Sequence, residues 1–410
     1  MKQFTLNNGI QVVVYEMPYL RSVSMGVWVK AGSILESEQE NGLSHFIEHM
    51  AFKGTTKRTA RQIAQEMDAI GGHMNASTSK LCTNYYVKVI DEDLPLAADI
   101  LADIVIHPTL DESEFEKERG VILEEIAMVQ DTPDDIVYDV LSRAMFAKQS
   151  LGQTILGEAS SIEGYSVSQL SAYRNKYYSP TNTVISLAGN ITQEYAKALV
   201  EEKFGDWQGS GNTLFPSQVI NAPGKTLYLP KDTEQMHVCV GYVGDTMGTN
   251  AIFATAVLNT IFGAGMSSRL FQRIREEQGL AYSVYSSPTN YPTCGDYTIY
   301  FGTMPKNTSV VLEQIDVEIQ TLLQKGITAQ EFLQAKAQLR SDYVLSLESA
   351  YNRMHANGHN QLLLGRVVSP EITLQNIEKV TMEDVVERAQ GIFTSKRSLA
   401  FVGKEEYFHG

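Results

Sequence analysis

Two of the chain's eight histidines, His45 and His49, stand four residues apart in the stretch NGLSHFIEHMAFKGT, Asn41 to Thr55, with Glu48 beside the second. Set on a helix from Leu43 to Phe52 at about 100° per residue, Leu43, Phe46, Ile47 and Met50 share one face. His45, Glu48, His49 and Phe52 share the opposite one. The apolar face is complete without the histidines, so the polar trio forms a second, coherent face. Two imidazoles one helical turn apart can reach a single ion, as zinc sites require. A carboxylate beside them can take a proton from a water on that ion. The same spacing also suits a solvated polar face, so a metal site needs a third ligand from elsewhere.

A second helix offers candidates. In FEKERGVILEEIAMV, Phe115 to Val129, positions 115, 118, 122, 125 and 129 fall on one stripe and are Phe, Glu, Ile, Glu and Val. Glu118 and Glu125 are therefore expected to be buried, and a buried carboxylate is costly unless paired or bound to a cation. Ordinary ion pairs would satisfy them as well as a metal. Gly120 weakens this helix slightly.

These helices need a frame. IQVVVY, VSMGVWVKAG and TNYYVKVI (Thr83 to Ile90) read as strands. TARQIAQEMDAIGG (Thr59 to Gly72) reads as a helix with Thr at its start and a glycine pair at its stop, and helical patterns fill roughly 91 to 140. Strands and helices interspersed in this way predict an α+β fold with mixed sheets packed by helices. The stretch Asp206 to Lys225 is rich in Gly, Ser, Asn and Pro and has no periodicity. It places a linker at 210–223, between a domain at 1–209 and another at 224–410. VISLAGN (Val184 to Asn190) and SLAFVGK (Ser398 to Lys404) close the two halves, with Gly189 and Gly403 214 residues apart. That period indicates two tandem, similar domains.

Composition limits the partners. The 410 residues carry a formal charge of −15, which excludes a basic nucleic-acid surface and mildly favours cations and basic peptides. Three cysteines, Cys82, Cys239 and Cys294, read as reduced thiols of a cytoplasmic protein. The N-terminal stretch has no apolar signal core, and no run approaches the ~18 apolar residues of a membrane span.

With the residues in place, a resemblance emerges. His45-x-x-Glu48-His49, followed 76 residues after His49 by Glu125 on another helix, resembles the inverted zinc motif of the inverzincin (pitrilysin-type) metallopeptidases. GLSHFIEHMAFKGT is most similar to their short branch, which includes the mitochondrial processing peptidase β subunit and its bacterial relatives. The resemblance implies one Zn2+ per chain on His45, His49 and Glu125, Glu48 as catalytic base, and Glu118 as an additional acidic residue of the site. It implies that Asn75 and Ala76 lie on an edge strand to which an extended peptide substrate adds, and that Arg275 and Tyr282, in REEQGLAYSVYS, hold the substrate. By themselves these last two read as a surface arginine and a strand aromatic. IFGAGMSS (Ile261 to Ser268) resembles the glycine-rich loop of the processing peptidases' other subunit. One chain would form half of a clam-shell chamber and pair as a homodimer. The expected activity is zinc-dependent endopeptidase action on peptides or unfolded segments. The alternative is a non-catalytic or partner-dependent subunit of a processing peptidase-like assembly. A second pair, His355 and His359, has no carboxylate between its members and a glycine, Gly358, in its helix, so no metal is expected there. At the 214-residue offset, the counterpart of the motif is NTIFG, Asn259 to Gly263, which offers no ligands.

Overall fold

The structure is a computed structural model, and it describes residues 1–211, 213–220 and 224–407. Of the expected linker 210–223, residues 212 and 221–223 lie outside the described residues. The described strands are β1 (Lys2–Thr5), β2 (Gln11–Glu16), β3 (Ser22–Val29), β4 (His73–Thr78), β5 (Thr83–Ile90), β6 (Thr183–Gly189), β7 (Thr226–Pro230), β8 (Met236–Val243), β9 (Ala281–Asn290), β10 (Gly295–Thr303) and β11 (Ser398–Gly403). They form two mixed sheets, ordered β1-β2-β6-β3-β5-β4 and β7-β11-β8-β10-β9.

The internal repeat is visible in this order. Without β1, the first sheet matches the second strand for strand. Each has one parallel pair, β2 with β6 and β7 with β11, and antiparallel pairs elsewhere. The 214-residue offset carries β3 onto β8 residue for residue and brings the ends of β6 and β11 together.

The chain does not divide at a single point. One compact unit comprises Met1–Ile126, Thr154–Pro216 and Val344–Val368; the other comprises Ala127–Gln153, Ser217–Tyr343 and Ser369–Gly410. Each half thus gives a helix to the other half's sheet, a departure from continuous domains at 1–209 and 224–410. The helix Ala350–Leu364 lies on β2, β3 and β6, and the helix Pro133–Phe146 lies on β7, β8 and β11.

Glycine makes the first of these packings possible. A Cβ at Gly358 would sit 2.4 Å from Cε3 of Trp28, so the helix approaches the indole at a distance only glycine allows. The helix runs unbroken through Gly358, because packing offsets the glycine's weak helix propensity. Met354 is fully buried with Trp28 in this layer. His355 and His359 are half-buried on the same helix, with rings 6.1 Å apart and nearly parallel, and His355 lies edge-on to Trp28. They are packing residues.

Candidate metal centre

The motif helix spans Leu43–Ala51, and Leu43, Phe46, Ile47 and Met50 are buried, as the periodicity predicts. It packs on β4, β5 and the helix Val167–Tyr177. The second helix spans Glu112–Gln130. The Phe46 and Phe115 rings stack 4.5 Å apart and parallel to within 1°, which fixes the two helices against each other. Arg119 anchors the second helix by donating to the carbonyls of Ile162, Glu163 and Tyr165.

These contacts bring the acidic stripe over the histidine pair. Glu125 Oε2 lies 3.6 Å from His45 Nε2 and 3.4 Å from His49 Nε2. His45, His49 and Glu125 each offer one donor atom, and all three atoms lie within 4.8 Å of one another. Among the described residues no other group of three His, Cys, Asp or Glu donors converges in this way. Glu118 is 4% exposed and takes no place in that trio. Its Oε2 meets His49 Nδ1 at 3.1 Å, and its Oε1 meets Lys53 Nζ at 2.7 Å. Glu118 thus leaves His49 Nε2 facing Glu125. The stripe differs from expectation toward its C-terminal end, where Glu125 and Val129 are only half-buried. Ile126 takes the buried place, and Glu125 is half-buried, facing the histidines rather than the core.

The electrostatics follow from this arrangement. Burial, reinforced by His49, holds the His45 pKa down at about 4. Burial also pulls on His49, but hydrogen bonds to Glu125 and Glu118 outweigh it and raise the net value. The same hydrogen bond from His49 holds the Glu125 carboxyl below its usual range. Burial pushes Glu48 up, against the hydrogen bond from Thr78. Glu48 lies beside the trio, and its Oε2 accepts from the Thr78 hydroxyl at 2.5 Å. Two neutral-capable imidazoles and a carboxylate form a donor set that zinc accepts, so the residues fit such an ion.

The match to known proteins extends along nearly the whole chain. Residues 11–159 match the model for insulinase (peptidase family M16), and residues 164–339 match the M16 inactive domain. A Bacillus subtilis protein named uncharacterized zinc protease YmxG is 42% identical, over 98% of both chains. The chain belongs to peptidase family M16. An uncharacterized zinc protease of Rickettsia felis is 37% identical, over 98% of this chain and 97% of its own. The M16 fold recurs in the crystal structure of a protease from Helicobacter pylori, with TM-score 0.93, 22% identity, and 98% of this chain and 99% of that one covered. It recurs also in a Pseudomonas fluorescens structure titled peptidase M16 inactive domain, with TM-score 0.92, 19% identity and coverage of 98% and 97%.

The other expected residues lie in two places. Asn75 and Ala76 are on β4, the sheet's edge strand, with Asn75 exposed and Ala76 half-buried. Arg275 and Tyr282 belong to the second unit of this M16 chain, and they meet each other: the guanidinium lies 4.6 Å from the Tyr282 ring centre. Tyr282 is 74% exposed, and Phe271 packs on the same guanidinium. Sequence reasoning missed Thr78 and Lys53. Lys53, four residues after His49, is the one that spacing could have found.

No helix among the described residues is long and apolar enough to cross a membrane. The three cysteines are free thiols.

Proposed function

We propose that the chain is a zinc-dependent endopeptidase with one Zn2+ on His45, His49 and Glu125. The observation that carries this reading is the convergence of those three donors, within 4.8 Å, beside an independently held carboxylate, Glu48. Zinc held there would act as a Lewis acid that makes a water nucleophilic near neutral pH.

The remaining steps belong to the chain's own residues. Glu48 is the proton acceptor. Its burial raises its basicity toward the working pH of a general base, and Thr78 fixes one of its oxygens. Glu118 orients the His49 ring. The open edge of β4 can take an extended peptide as an added strand, with Asn75 and Ala76 against its backbone. Arg275, held over two aromatic rings, presents a preorganised guanidinium to substrate carbonyls, with the exposed Tyr282 hydroxyl beside it.

Peptides and unfolded segments are the proposed substrates, in the cytoplasm, with the chain acting as a homodimer whose copies each form half of a chamber. Names given to relatives support zinc and proteolysis, and the net charge of −15 favours basic peptides. The experiment is zinc analysis beside cleavage of a mixed peptide library by the wild type, His45→Ala and Glu48→Gln. His45→Ala should lose most of the zinc. Glu48→Gln should keep the zinc and lose turnover. Full zinc in His45→Ala, or wild-type cleavage by Glu48→Gln, would refute the assignment.

A further inference from the structure

The two histidines are held unequally. Glu118 grips His49 at Nδ1, but His45 Nδ1 is buried and has no hydrogen-bond partner among the described residues. Nothing polar on its own ring therefore orients His45 away from the donor trio. Its placement depends on its backbone, in the first turn of the helix Leu43–Ala51. One support of that turn is a buried carboxylate seven residues before the helix starts.

Glu36 is 3% exposed, and no Lys, Arg or His pairs with it among the described residues. A buried carboxylate without a cation is costly unless other donors satisfy it. Here the donors are those of the helix start. Glu36 Oε2 accepts from Gly42 N at 2.8 Å and Asn41 Nδ2 at 3.2 Å, and Oε1 accepts from Ser44 N at 2.8 Å. Gly42, the residue before the helix, has no side chain to cap it, so Glu36 fills that role from outside the helix. The helix dipole places positive potential where the carboxylate sits.

The same turn is clamped from its other side. Gly42 has φ of 98°, and a Cβ there would meet the Leu156 carbonyl oxygen at 2.7 Å. Asn41 Nδ2 donates to Thr154 O at 2.8 Å, and Tyr165 donates to Asn41 O at 2.9 Å. Ser44, the residue before His45, pairs its hydroxyl with Tyr173 at 2.9 Å.

We propose that Glu36 is a positioning residue of the metal centre: by holding the Asn41–Ser44 turn it fixes the His45 imidazole, as Glu118 fixes His49. The proposal rests on the zinc reading above. Glu36→Gln keeps the size, but it turns an amide toward an N–H donor and leaves one helix-start N–H unpaired.

The test uses the full-length protein stripped of metal. Zinc affinity is measured against a competing chelator, and Co2+ absorption reports the geometry of the ligands. Glu36→Gln and Asn41→Ala are compared with Leu187→Ala, a core change on β6 that loses stability without touching the turn. Glu36→Gln should weaken zinc by about 10–100-fold and alter the cobalt spectrum. Asn41→Ala should do so by several-fold, and Leu187→Ala should leave both unchanged. Wild-type affinity and spectrum in Glu36→Gln, or losses no greater than those of Leu187→Ala, overturn the proposal. Should Glu36→Gln fail to fold, unchanged binding in Asn41→Ala overturns it. A wild type that binds neither ion overturns the zinc reading itself, a separate result.

Discussion

Gly358→Ala separates helix propensity from packing, because the two predict opposite signs. In an exposed helix, alanine in place of glycine stabilises by about 1 kcal/mol. Here the new Cβ would stand 2.4, 2.5 and 2.7 Å from Cε3, Cζ3 and Cδ2 of Trp28, where ordinary contact is 3.4–4 Å. The helix or the indole must therefore move by about 1 Å. The indole has little room to move: it is fully buried, and the Gly26 backbone packs so closely against it that a Cβ there would meet Trp28 Cη2 at 2.5 Å. Overpacking of this kind costs about 1–3 kcal/mol. With the propensity gain subtracted, a loss of up to about 2 kcal/mol remains. At about 2–4 °C per kcal/mol for a unit of this size, Tm should fall by several degrees. Thermal unfolding followed by circular dichroism measures it, and Trp28→Phe, which shrinks the ring, should recover part of the loss when combined with Gly358→Ala. A raised Tm in Gly358→Ala would refute the packing argument.

Other outcomes follow from the same geometry. Truncation after Pro216 keeps all the metal donors but removes the cover of Trp28, Met17 and Val184, so the fragment should bind hydrophobic dyes and unfold without cooperativity; a cooperative melt would contradict the shared-helix fold. Glu118→Gln should weaken zinc by about 10–100-fold in a chelator competition, and unchanged affinity would remove Glu118 from any role there. Burial raises Asp296 to about 7, so its contribution to stability is full below the ordinary carboxylate range and is lost as pH rises through about 7. Within that window the wild type should lose up to about 1.4 kcal/mol per pH unit that Asp296→Asn does not; parallel Tm–pH curves would contradict this. Sedimentation should show a dimer, and a fully active monomer would refute the homodimer proposal.

The parts of this protein that were legible in its sequence are those set by local pattern. The buried face of Leu43–Ala51 follows from the spacing of four apolar residues. Thr59 caps its helix with Gln62 as the start signal suggests. The Glu118 and Glu125 stripe indicated the correct helix face, although Ile126 rather than Glu125 takes the buried place. What stayed hidden depends on contacts between distant residues. No periodicity reveals that residues 350–364 cover β3, or that 133–146 cover β8, because each helix is amphipathic whichever sheet it meets. Gly358 looked like a weakness in a helix, and the reason for it, an indole more than 300 residues earlier, is not in its neighbourhood. Glu36 and Thr78 are short-range in space but arrive from loop and strand, where hydrogen bonding leaves no sequence period.

The sheets of the two halves have the same strand order apart from β1, yet only one half has a metal-donor trio among the described residues, and the difference lies in packing as well as in ligand identity. At the 214-residue offset, Asn259 and Gly263 stand for His45 and His49. The helix Ala251–Phe262 ends there, and Gly263 is its C-terminal cap. The Asn259 side chain accepts from the Ser286 hydroxyl at 2.7 Å, and a Cβ on Gly263 would meet Ser286 Oγ at 2.2 Å. β9 therefore closes on the end of that helix, where no imidazole could be accommodated. In the first half the corresponding strand, β4, contributes Thr78 to Glu48 instead of filling the space. One sheet geometry thus carries two outcomes: where the strand holds back, three donors converge, and where it packs in, the same position is filled. In the second half the proposed substrate-binding pair, Arg275 and Tyr282, is held by the contact of guanidinium and ring and calls for no ion.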